Sequence, residues 1–99
     1  MRIKITEVRV SLRDDAKLKA FASITLEDQF VIRGLKVIEG NSNRMFVAMP
    51  SRKRPDGKHQ DIAHPITQGM REYVEDVVIS EYRREMVKVL VKRTLSTAH

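Results

Sequence analysis

Between Leu18 and Met49 the chain carries three apolar runs separated only by Glu27-Asp-Gln29 and by Glu39-Gly-Asn-Ser-Asn-Arg44. A parallel crossover needs about a dozen residues or more, usually a helix, and neither break supplies them. Consecutive strands joined this way pair antiparallel, as a meander. The first run is the clearest: Leu18, Ala20, Ala22, Ile24 and Leu26 alternate with Lys19, Phe21, Ser23, Thr25 and Glu27, which predicts a half-buried strand. Phe30 to Ile38 is rich in β-branched residues and predicts a second strand, with Gly34 marking a bulge or bend. Met45 to Met49 is the third, ended by Pro50, which has no amide hydrogen to give a central ladder.

Ahead of these lies another strand, residues 2 to 12. Ile3 and Ile5 hold one phase of its alternation and Val8, Val10 and Leu12 the other. A change of phase near Thr6 and Glu7 requires a bulge there, or cover on both faces. Residues 59 to 64 form one more short strand, His64 being held extended by Pro65. Thr67 then suits the N-cap of a helix starting near Gln68. Met70, Tyr73, Val74, Val77 and Val78 recur at helical spacing, a stripe to lay on one sheet face. The class is therefore α+β: an antiparallel sheet of four to five strands followed by a C-terminal helix. One domain spans residues 1-94, and residues 95-99 form a frayed tail.

Polyanions are the first class of partner to consider, because the formal net charge is +6. The positive charge gathers in two places. After Pro50, Arg52, Lys53, Arg54 and Lys58 surround Pro55-Asp-Gly57, a tight-turn sequence that presents the four cations together. Such a loop can clamp phosphates, or can be a solvated turn. From Tyr82 onward Arg83, Arg84, Lys88, Lys92 and Arg93 face only Glu85. That half-helix can lie against DNA, while Met86, Val89 and Leu90 among its charges equally suit packing on a partner subunit.

Catalytic readings have little to stand on. The absence of cysteine removes disulfides, thiolate zinc sites and a cysteine nucleophile. His59, Asp61 and His64 have the residue types of a metal site, but in an extended segment the first two share a face and His64 points to the other. Ser51, Asp61 and His64 match a hydrolytic triad in residue types only, without a nucleophile-elbow pattern. No dinucleotide or P-loop spacing is present. The expectation is no enzyme, no cofactor, no metal and no small-molecule substrate. No apolar run is long enough to span a bilayer, and no signal-peptide core is seen, so the expected setting is the cytoplasm, away from membranes.

Ile24-Thr-Leu26, Phe30-Val-Ile32, Val37-Ile-Glu-Gly-Asn41, Phe46-Val-Ala-Met-Pro-Ser51, Pro55-Asp-Gly57 and Asp61-Ile-Ala-His-Pro-Ile66 closely resemble the septation protein SpoVG family, also called stage V sporulation protein G. The likeness runs from about Ile3 to Tyr82. It implies a small bacterial homodimer, paired through its strands, that binds DNA and in some members RNA. Family members affect asymmetric septation in sporulating bacteria and modulate gene expression elsewhere. The family's DNA-binding basic pair after Met-Pro-Ser falls on Arg52 and Lys53, with Arg54 extending it. The family's helix, thought to influence sequence preference, points to Arg71, Arg83 and Arg84. Two features depart from the pattern: His59 and Gln60 stand where members commonly have an aromatic and an Arg, and the C-terminus is basic where members often have an acidic tail. A module that contacts an acidic protein surface, an RNA-binding regulator, and a small hydrolase using His64 and Asp61 are the competing expectations.

Overall fold

The computed structural model describes residues 3–97. Four strands, β1 (Ile5–Leu12), β2 (Leu18–Leu26), β3 (Phe30–Glu39) and β4 (Met45–Ala48), form an antiparallel meander in the order β1-β2-β3-β4. Two short strands, β5 (Ser51–Lys53) and β6 (His59–Asp61), pair with each other as a separate hairpin, and the helix α1 (Gln68–Thr97) follows. The expected α+β class and meander are thus present. The basic segment expected as a loop is instead the two arms and turn of β5–β6, and β6 ends at Asp61 rather than running to residue 64.

The two irregularities expected from sequence are both bulges. Ile5 pairs with Leu26 but Glu7 with Thr25, so Thr6 is the extra residue and the apolar phase changes around it. Ile5 and the half-buried Val8, Val10 and Leu12 consequently pack toward the same core. In β3, Arg33 and Gly34 stand opposite Ser23 alone. Gly34 takes φ +82, and this second bulge allows both Ile32 and Leu35 to reach the core. A third register shift, at Lys19, interrupts the alternation that the sequence presents as unbroken.

One face of the sheet packs on the first half of α1. Ala20, Ala22, Ile24, Leu35, Val37, Val47 and Met49 are buried there with Val74, Val78 and Tyr82 from the helix. The fully buried Ile24, Leu35, Val37 and Val78 side chains each contribute about 1.5 to 3 kcal/mol. The helix begins as expected: Met70 N donates to Thr67 Oγ1 at 3.1 Å. One turn later it ties down both outer strands of the sheet. Ile5 N donates to Tyr73 Oη at 2.9 Å, and Val47 N to the Glu75 carboxylate at 3.4 Å. Backbone donors on the two edge strands are thereby occupied by side chains of a single helix. The helical backbone continues through Thr97, three residues into the stretch expected to fray, and residues 98 and 99 lie outside the described residues.

Candidate nucleic-acid interface

The β5–β6 hairpin is built from local chemistry. Ser51 pairs with Asp61, Arg52 with Gln60 and Lys53 with His59. Beyond them Arg54 N donates to Lys58 O at 2.7 Å, and Gly57 N returns to Arg54 O at 2.9 Å. Pro55 and Asp56 occupy the centre of this turn, and Gly57 closes it at φ +86, a conformation glycine adopts without a Cβ penalty. Asp56 Oδ1 accepts from Lys58 N at 3.0 Å, which fixes the start of the return strand. At the base, Ile62 N donates to Pro50 O at 2.7 Å.

Every residue from Ser51 to Ile62 is exposed, so the hairpin projects from the body with both faces open to solvent. Alternation then sorts its side chains. Arg52 and Gln60 stand on one face, with Arg54 and Lys58 of the closing pair next in line on that face. Lys53 lies on the other, with Ser51, His59 and Asp61. The four cations are within one small element, as the turn sequence implies, but they do not form a single cluster. Gln60, where family members commonly have Arg, sits directly across from Arg52. An arginine there would have completed a cationic row on the Arg52 face.

The helix cations are placed elsewhere. α1 packs on β1 and β4 and more lightly on β2 and β3, not extensively on the hairpin. Arg71 is an exposed residue of its first turn. Arg83 and Arg84 follow Tyr82, the last buried residue among those described, and adjacent helical positions diverge by about 100°. Arg84 Nη1 lies 3.5 Å from Glu81 Oε2.

The catalytic alternatives gain nothing from the geometry. Ser51 and Asp61 are directly opposed, yet His64 lies beyond the hairpin with Nδ1 3.2 Å from its neighbour's carbonyl, Pro65 O. Among the described residues no group of three or more His, Cys, Asp or Glu side chains converges as a metal site. An open hollow of about 670 Å³ lies between the sheet and the segment leading into α1. It is lined mainly by aliphatic residues, including Ile24, Leu26, Ile32, Met49 and Ile66. Among the described residues no helix is long and apolar enough to cross a membrane.

The sequence reading missed that this segment is a hairpin. A signal was present: three-residue polar arms flank Pro-Asp-Gly at hairpin spacing. With both faces in solvent, the arms carry no apolar phase to reveal them.

The SpoVG family model matches residues 3–84, which include every strand and the part of α1 that covers the sheet. A relative from an Anaeromyxobacter species is 47% identical over 95 residues, covering 96% of this chain and 97% of its own. One from Bdellovibrio bacteriovorus is 50% identical over 84 residues, covering 85% and 77%, and one from Staphylococcus carnosus is 51% identical over 81 residues, covering 81% and 75%. All three carry the name "Putative septation protein SpoVG". With residues 3–84 matched by the family model and about half of the aligned positions identical in these relatives, the chain belongs to the SpoVG family.

Proposed function

We propose that this protein is a bacterial nucleic-acid-binding regulator, a cytoplasmic homodimer that holds duplex DNA and thereby modulates gene expression. The names of its relatives extend the proposal to septation and, in a sporulating host, to the asymmetric division that precedes spore formation. The observation that carries this reading is the projecting hairpin. It brings Arg52, Lys53, Arg54 and Lys58 onto one exposed element in which only Asp56 and Asp61 oppose them. Arginine offers a forked set of donors and lysine a point charge to backbone phosphates, while the strand pairing and the turn hold the element in shape. Arg71, Arg83 and Arg84 are the helix residues assigned to secondary contacts that bias sequence choice. The protein acts by binding, and no reaction is assigned to it.

Duplex-DNA affinity across a salt series, for the parent chain and for Arg52→Ala, Lys53→Ala, tests this. Each phosphate contact contributes roughly 0.9 to the log-log salt slope. Loss of two contacts is therefore expected to reduce the slope by about 1.8, with the circular dichroism spectrum unchanged. An unchanged slope would remove the pair from the interface. Absence of binding at low salt by a folded parent would sink direct DNA binding. Single-stranded RNA of the same length, run in parallel, separates the RNA-binding reading from the DNA one.

A further inference from the structure

The two faces of the β5–β6 hairpin differ in more than cation count. Along the strands, the face with Arg52, Arg54 and Lys58 carries one uncharged polar side chain, Gln60, and no carboxylate. Asp56, in the turn, is folded back onto the Lys58 amide. The opposite face holds Lys53 with Ser51, His59 and Asp61. Phosphates repel a carboxylate, so the Arg52 face is the one suited to turn toward DNA. Gln60 then approaches the duplex beside Arg52, with Arg54 and Lys58 two residues, about 7 Å, nearer the tip.

Cations and amides do different things against a duplex. Arg and Lys on phosphates supply affinity and fix register without sensing sequence. A glutamine carboxamide adds no charge, but it presents an acceptor and two donors in one plane. That set matches the N6 donor and N7 acceptor which adenine alone shows in the major groove. The Gln60 carboxamide is exposed and, among the described residues, has no hydrogen-bond partner. Gln68 on the helix, by contrast, already donates to Glu72 Oε1 at 3.1 Å. Shape permits the approach as well. Paired strands lie about 4.8 Å apart and the major groove is about 12 Å wide, which admits a two-stranded ribbon. Every residue from Ser51 to Ile62 is exposed, so the body covers neither arm. The groove is about 8.5 Å deep, and its phosphate walls therefore flank both faces of an inserted ribbon, Lys53 included.

We propose that Gln60 is a specificity-determining residue: the hairpin enters the major groove of duplex DNA with its Arg52 face inward, and the Gln60 carboxamide reads one adenine through N6 and N7. Arg52, Lys53, Arg54 and Lys58 hold the phosphates on either side. This deepens the DNA-binding part of the proposed function and rests on it. Base recognition is thereby placed on the hairpin, not on the helix alone.

Selection from a pool of duplexes randomised over about 10 base pairs, one helical turn, tests this with the unaltered chain, Gln60→Ala and Gln60→Arg. The unaltered chain is expected to enrich adenine at one position, where any other base weakens binding roughly 5- to 150-fold. Gln60→Ala is expected to lose that preference alone and to keep the salt slope, since an amide displaces no counterions. Gln60→Arg is expected to enrich guanine at the same position, because its O6 and N7 acceptors suit a forked donor. Replacing the selected adenine by 7-deazaadenine removes the N7 acceptor, and should weaken binding by the unaltered chain but not by Gln60→Ala. Binding without base preference, or a preference that survives both substitutions, would overturn base reading and leave phosphate binding by the hairpin standing. A salt slope that flattens in Gln60→Ala would show that Gln60 only holds the hairpin in shape, and would overturn it likewise. Equal weakening across all sequences would put the carboxamide on a phosphate, with the same result. No binding of the pool at low salt would overturn the proposed function itself.

Discussion

Two hairpins of this molecule solve the same problem in opposite ways. The β5–β6 turn uses residues suited to it, Pro55, Asp56 and Gly57, and touches little else in the fold. The β2–β3 turn places Glu27 and Asp28 at φ 53 and 57, left-handed conformations that cost a non-glycine residue roughly 1 to 2 kcal/mol. Its support comes from a distant segment. Lys4 N donates to the Glu27 carboxylate at 2.8 Å, Glu27 N donates to Lys4 O at 2.9 Å, and Asp28 N donates to Thr6 Oγ1 at 3.0 Å. Where the fold supplies partners, local turn chemistry can be unfavourable. Where it supplies none, the turn sequence must suffice alone.

The largest effect is expected where local chemistry acts alone. Gly57→Val puts a β-branched residue at φ +86 in a site where an added Cβ meets nothing within 4 Å. The strain of about 1 to 3 kcal/mol is therefore purely conformational, and nothing nearby compensates it. Cross-strand nuclear Overhauser contacts between Arg52 and Gln60 should disappear and DNA affinity should fall with them. The melting temperature should hold, because the hairpin contributes no buried residue. A parallel fall in melting temperature would show that hairpin and body unfold as one unit.

This contrast also explains what was legible in the sequence. The β2–β3–β4 meander was readable because one face of each strand is buried, so burial wrote its period into residues such as Ala20, Ala22, Ile24 and Val37. The bulge at Thr6 was visible as a change of phase for the same reason. The Pro-Asp-Gly turn was readable because its chemistry is local. Glu27-Asp-Gln29 read only as a polar break, because what holds it left-handed is 20 or more residues away, at Lys4 and Thr6. The arm Ser51–Lys53 was unreadable as a strand with nothing buried on either side, and for the same reason the strand expected over residues 59 to 64 was drawn past its end at Asp61. Arg52, Lys53, Arg54 and Lys58 could therefore be named as cations but not sorted into faces. The exposed apolar residues Val87, Val91 and Leu95 in the second half of α1 were obscured by the basic residues interleaved with them.

A smaller effect is expected from removing one of the distant ties. Thr6 Oγ1 receives the Asp28 amide and lies 3.3 Å from Thr25 O, to which it donates. Thr6→Val keeps the shape and deletes both bonds, at a cost of about 1 kcal/mol, since water can reach the exposed Asp28 amide. For a domain of this size that lowers the melting temperature by roughly 4 to 8 °C. DNA affinity of the folded variant should be unaltered, the reverse of the Gly57→Val outcome. A melting temperature unchanged within error would mean that the tie does not hold the turn.

The smallest effect asks whether the strain at the β2–β3 tip is real. Asp28→Gly removes a left-handed penalty of roughly 1 to 2 kcal/mol and adds about 0.5 to 1 kcal/mol of unfolded-state entropy. The tie to Thr6 uses the Asp28 backbone amide, so it survives the substitution. The difference is a net gain of about 0.5 kcal/mol, measurable as a shift of the chemical denaturation midpoint at unchanged slope. Combining it with Thr6→Val sharpens the comparison. If the tertiary tie serves to hold a strained aspartate, the loss caused by Thr6→Val should shrink once glycine stands at position 28, because a relaxed turn needs less holding. Equal losses in both backgrounds would show that the tie and the strain act independently, and that the tip tolerates its left-handed residues without the help of Thr6.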